Sequence, residues 1–117
     1  MRAAITTHVL DVSAGHPAEG VSVILNHPSG HIFEGQTDAD GRISDWSQTF
    51  ELEPGQYSLT FNVGDYFGAQ KIESFYRSVP VTFFVSESSS RAHYHVPLLL
   101  SPFGYSTYRG KIGRAHV

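Results

Sequence analysis

The sequence predicts an all-β protein, an antiparallel β-sandwich with one short helix. Three observations carry this. Short apolar segments alternate inward and outward with a period of two. Clusters of Gly, Pro, Asn, Asp and Ser punctuate them at close intervals. Only one short segment, near the middle, has helix-like chemistry.

The elements follow in order. Ile5 to Val12 is alternating and β-branched, which reads as a strand. Ser13 to Gly20 (SAGHPAEG) is a loop, and Val21 to Leu25 is the next strand. Asn26 to Gly30 turns the chain, and His31 to Thr37 returns as the second arm of a hairpin. Asp38 to Arg42 (DADGR) is a tight turn, with Gly41 free to take positive φ. Gln56 to Val63 alternates again, placing Tyr57, Leu59, Phe61 and Val63 on one face. Asp65 to Ile72 (DYFGAQKI) is the candidate helix, with Asp65 as its N-cap. Val79 to Val85 is a strand, Glu87 to Arg91 a polar loop, and Tyr94 to Leu100 with Phe103 to Tyr108 a final pair around Ser101-Pro102. Tyr57, Phe61, Tyr66, Phe67, Phe75, Phe83 and Phe84 sit at core spacing.

Composition narrows the function classes. A chain of 117 residues suits one domain and can bury a core without staples. With no cysteine, disulfides and thiolate metal sites are excluded. The net charge of -3 is mild and the basic residues are scattered, which argues against nucleic acid and against an anionic membrane surface. No apolar run approaches the length of a bilayer span, and a strand pattern begins too early for a signal peptide. A cytoplasmic protein is expected. The tail Lys111 to Val117 (KIGRAHV) lacks β alternation and matches what a common sequencing adapter encodes in one frame. It is set aside as a non-native or disordered appendage, leaving residues 1–110 as the domain.

Seven histidines are many for this length. His93 and His95 are two apart and share one face of a strand. Such a pair can ligate zinc, and His8 could supply a third ligand in space. No carboxylate in register would activate a water, so no metal is expected. His8 lies within the first strand, and Arg42 closes the DADGR turn. His16, His27 and His31 lie in or beside polar loops and read as solvated. Asp38-x-Asp40-Gly41 lacks the remaining ligands of a calcium loop. No cysteine or serine sits where a nucleophile would be activated.

The segments ITTHVLD (Ile5 to Asp11), ADGR (Ala39 to Arg42), DYFGAQKIESFYRSVPVTF (Asp65 to Phe83) and HYHVPLLLSPFGYSTYRG (His93 to Gly110) together resemble the transthyretin-related 5-hydroxyisourate hydrolases of urate breakdown. The likeness covers nearly the whole chain to Gly110, and its last block is the specific one. It implies a prealbumin-like sandwich of two four-stranded sheets. It also implies a homotetramer, a dimer of dimers, with sites in a channel between dimers. It places catalytic roles on His8, Arg42 and His95. Tyr108 and Arg109 match a C-terminal Tyr-Arg-Gly-Ser signature and would bind substrate. Lys111 stands where that signature has serine. The implied activity is hydrolysis of 5-hydroxyisourate to 2-oxo-4-hydroxy-4-carboxy-5-ureidoimidazoline, with no cofactor and the small molecule as the partner. A peroxisomal address at a different C-terminus would change the expected location. The alternative is a transthyretin-like carrier that binds a small ligand without turnover. A channel lined by His, Arg and His suits an apolar cargo poorly.

Overall fold

The computed structural model describes residues 3–89 and 92–110. The expectation for the tail falls on residues 111–117, outside the described residues.

Two sheets pack face to face. One holds β1 (Ile5–Asp11), β2 (His16–Pro17), β5 (Arg42–Ile43), β8 (Tyr94–Ser101) and β9 (Gly104–Thr107), in the order β2-β1-β8-β9 with β5 also paired to β1. The other holds β3 (Ser22–Asn26), β4 (Ile32–Gln36), β6 (Gly55–Phe61) and β7 (Val79–Val85), in the order β4-β3-β6-β7. The sandwich and, among the described residues, the single α-helix are as the sequence predicts. Two details differ. The two-residue strands β2 and β5 enlarge the first sheet. And β1 pairs with β8 in parallel, Thr6 opposite His95 and His8 opposite Pro97. No local pattern reports that pairing, because the two strands lie more than 80 residues apart and meet only through the fold.

Alternation assigns each strand a face. Ile5, Val9, Val96, Leu98 and Leu100 point between the sheets, against Val23, Leu25, Tyr57, Leu59 and Phe61 of the other sheet, and all are buried. Burying such side chains is worth about 1.5–3 kcal/mol each, which is what holds the layers together. The other face of β1 and β8 carries Thr6, His8, His93 and His95, the last two on and just before β8.

The helix α1 spans Val63–Ala69, not Asp65 to Ile72, and Val63 opens it rather than ending a strand. Asn62 occupies the N-cap position. Asp65 lies in the first turn, accepting a hydrogen bond from Asn62 Nδ2 at 2.8 Å. Its carboxylate complements the positive end of the helix from there. The C-terminus closes early because Lys71 takes φ 59°: Ile72 N–H donates to Phe67 O and Lys71 N–H to Gly68 O, the paired bonds of a Schellman turn. Phe75 and Phe84, expected in the core, are instead 70 % and 68 % exposed. Phe84 lies on the outward parity of β7, between half-buried Phe83 and buried Val85. Trp46 is buried, and its indole N–H donates to Ile5 O at 2.8 Å.

Candidate functional site

The first component is the turn that delivers Arg42. Asp38 organises it: its Oδ1 accepts the N–H groups of Asp40 (2.9 Å) and Arg42 (3.0 Å), and its carbonyl accepts that of Gly41 (2.8 Å). Gly41 has φ 76°, and a Cβ there would run into the carbonyl of Val9. Only glycine allows this approach, and it lets Val9 N–H donate to Gly41 O at 2.7 Å. The turn is thereby fastened to β1. The next residue, Arg42, falls directly opposite His8 in the antiparallel pair, with Ile43 buried beneath. Directly opposite side chains have Cβ atoms about 4.5–5.5 Å apart.

That placement sets the chemistry of His8. The ring is half-buried. Burial, and then the positive charge of Arg42, hold its pKa below the ordinary 6.5; a hydrogen bond to the Asp40 backbone and the carboxylates of Asp40 and Asp38 pull weakly the other way. His8 is therefore a neutral imidazole at neutral pH, fit to accept a proton.

The second component lies on β8. His95 is buried, and its Nδ1 sits 2.8 Å from Thr6 Oγ1. The same hydroxyl lies 3.0 Å from His93 Nε2. The chain end closes over this strand: Gly110 N–H donates to His95 O at 2.8 Å, and a Cβ on Gly110 would crowd the His95 ring and Pro97. By register, His8 stands two residues along β1 from Thr6, the partner of His95. That is about 6.6 Å along the strand and 4.8 Å across it, a separation of about 8 Å that a small ring can bridge.

The structure thus gathers His8, Arg42 and His95 on one sheet face. Tyr108 and Arg109 sit elsewhere in the chain. With Phe83, Phe84 and Tyr94 they line a cleft of about 350 Å³ at the open edge between β7 and β9. The Arg109 guanidinium stacks 4.3 Å over the Tyr94 ring, and its Nη2 donates to His93 O at 3.4 Å. Thr6, which sequence reasoning passed over as a strand filler, is the residue that joins His93 to His95. His27, expected to be solvated, is buried: its ring meets Phe33, Phe50 and Tyr57 edge-on, with Nε2 donating to Glu51 O at 3.0 Å. Among the described residues, no group of three or more His, Asp or Glu is placed to hold a metal ion.

Residues 5–110 match the HIUase/Transthyretin family. The chain is 42% identical over 110 residues to the 5-hydroxyisourate hydrolase of Salmonella typhimurium, covering 91% of this chain and 79% of that one. Among solved structures, the 5-hydroxyisourate hydrolase of Klebsiella pneumoniae superposes with a TM-score of 0.80 at 36% identity, covering 92% of this chain and 98% of that one. Sea bream transthyretin in complex with thyroxine superposes with a TM-score of 0.78 at 28% identity, covering 94% and 97%.

Proposed function

The chain belongs to the HIUase/Transthyretin family, and on that premise we propose that it is a hydrolase of urate degradation. It opens the six-membered ring of 5-hydroxyisourate at an amide carbonyl to give 2-oxo-4-hydroxy-4-carboxy-5-ureidoimidazoline. The observation that carries this reading is the His8–Arg42 pair opposite each other beside His95 on one face.

Hydrolysis of an amide needs a base for water, a positive partner for the tetrahedral oxyanion, and a proton for the leaving nitrogen. His8, kept neutral by burial and by Arg42, suits the first task. Arg42 remains cationic and offers a planar fork of donors to ring oxygens and to the developing charge. His95, on the other side of the bridged span, completes the proton transfers. Which histidine serves water and which serves the ring is interchangeable in this scheme. No metal or organic cofactor enters it. Tyr108 and Arg109 line the edge cleft, apart from the His8–Arg42–His95 face, and in this proposal they meet substrate only at a site completed by a second chain.

The assembly belongs to the same proposal. Four chains form a dimer of dimers in the cytoplasm, with each site completed by two chains. Supporting this, β7 and β9 are edge strands around one cleft, and Phe84 and Tyr105 project from them into solvent. Exposed edges with aromatic side chains are surfaces that soluble proteins cover.

Incubation with freshly generated 5-hydroxyisourate, followed by mass spectrometry of the product, tests the reaction. The proposal expects accelerated appearance of the ring-opened ureidoimidazoline. Stoichiometric binding of substrate without acceleration would replace it with the carrier reading.

A further inference from the structure

One hydroxyl serves two histidines on this face. Thr6 Oγ1 lies 2.8 Å from His95 Nδ1 and 3.0 Å from His93 Nε2. A threonine hydroxyl has a single proton to donate and lone pairs to accept. It can therefore donate to only one of the two rings, and the other ring must present an N–H to it. When the hydroxyl donates to one of the two rings, the facing nitrogens are protonated in opposite senses. If His95 Nδ1 carries a proton and the hydroxyl donates to His93 Nε2, moving one proton along each of the two bonds carries one positive charge from a protonated His95 to His93.

We infer that Thr6 is a positioning residue that couples His95 to His93, so that a proton taken up by His95 is passed through the hydroxyl to His93. Its catalytic consequence rests on the hydrolase reading. His95 Nε2 takes a proton from water while its Nδ1–H donates to Thr6. The Nδ1 proton moves to Thr6 Oγ1, and the Thr6 hydroxyl proton moves to His93 Nε2. His95 returns to neutrality in the other tautomer, Thr6 is unchanged, and His93 carries the positive charge. His93 is half-buried whereas His95 is buried, so the charge moves toward solvent. Among the described residues, the charged and titratable groups set about this face include His8 and Arg42 on β1 and β5, and Arg109, which donates to the His93 carbonyl.

The geometry around Thr6 favours a designed contact over strand filling. Thr6 is buried on the face opposite the core, and valine would fit its strand position equally well by shape and propensity. Its neighbour Thr7 points into the core and spends its hydroxyl on Val96 O.

The test compares Thr6→Val, Thr6→Ser and His93→Leu, alone and combined, by turnover of 5-hydroxyisourate and by ¹⁵N chemical shifts of the His95 imidazole. Thr6→Val should lower kcat about 10- to 100-fold with KM nearly unchanged, and Thr6→Ser should restore most of it. His93→Leu should lower kcat by a similar factor, with no further loss in the double variant. In the spectra, His93→Leu should move the His95 nitrogens when Thr6 is present and leave them in place in the Thr6→Val background. Full kcat in Thr6→Val, or His95 shifts indifferent to His93 with Thr6 intact, overturns the inference. If the wild-type chain shows no turnover, the hydrolase reading falls, while the nitrogen shifts still decide whether the coupling exists.

Discussion

At the residue scale, Arg42 sets the chemistry of His8. The guanidinium stands across the strand pair from the imidazole and lowers its pKa, after burial. Hydrolysis by a neutral His8 is present above that lowered pKa and fades as pH falls through it. Arg42→Ala should raise the His8 pKa toward or past its ordinary value, moving the acid limb of the kcat/KM profile to higher pH. A pH-rate series on both proteins reads this, alongside a loss of rate from the missing oxyanion partner. The same depressed pKa acts on stability: neutral His8 favours the fold above its unfolded pKa, and that contribution is lost as pH falls through the folded value. His95→Asn should cost about 10²–10⁴-fold in kcat while thermal unfolding stays near wild type. His8, Arg42 and His95 were singled out only by the resemblance of whole segments to the family, because a strand histidine and a turn arginine read on their own as surface and turn residues. Thr6 was not legible. A β-branched residue in a strand raises no flag until a parallel register brings β8 beside it.

At the element scale two fastenings hold the site strand. Gly41 lets the Arg42 turn dock on β1. Gly41→Ala forces a Cβ against the Val9 carbonyl at a positive φ, and should destabilise the fold by about 1–3 kcal/mol and reduce activity by displacing Arg42. Urea unfolding together with kcat reads both effects. The far end of β1 is tied to α1, where Tyr66 donates to Asp11 Oδ2 at 2.7 Å. Burial and this carboxylate push the Tyr66 hydroxyl up to about 12. Burial alone would raise the Asp11 pKa, but hydrogen bonds from Tyr66, Ser13 and Ala14 outweigh it and hold the carboxyl low. Tyr66→Phe should cost about 1.5–3 kcal/mol, the worth of a hydrogen bond to a charged group, and raise the Asp11 pKa. The stability from Asp11 is present above its unfolded pKa and disappears as pH falls through the lowered folded value. Element existence was readable from period-two alternation. The end of α1 was not, because Lys71 takes a left-handed φ that glycine or asparagine would have announced.

At the scale of the whole molecule, the sandwich leaves the polar side chains proposed for catalysis on an outer sheet face and aromatic side chains on its β7–β9 edge. A single domain of this size gains nothing from that arrangement alone. In the proposed assembly, exposed Phe84 is covered by a second copy, a role that its core-like spacing in the sequence concealed. Light scattering on the eluted protein should give the mass of four chains, and Phe84→Asp should lower it. A monomer at working concentration would remove the channel from the account.

The most direct measurement is the decay of freshly generated 5-hydroxyisourate, followed by its ultraviolet absorbance with and without the purified protein, both full length and ending at Gly110. Decay should run well above the spontaneous rate, be insensitive to chelator and be largely abolished in His95→Asn. Decay at the spontaneous rate in both forms, or full activity in His95→Asn, would contradict it.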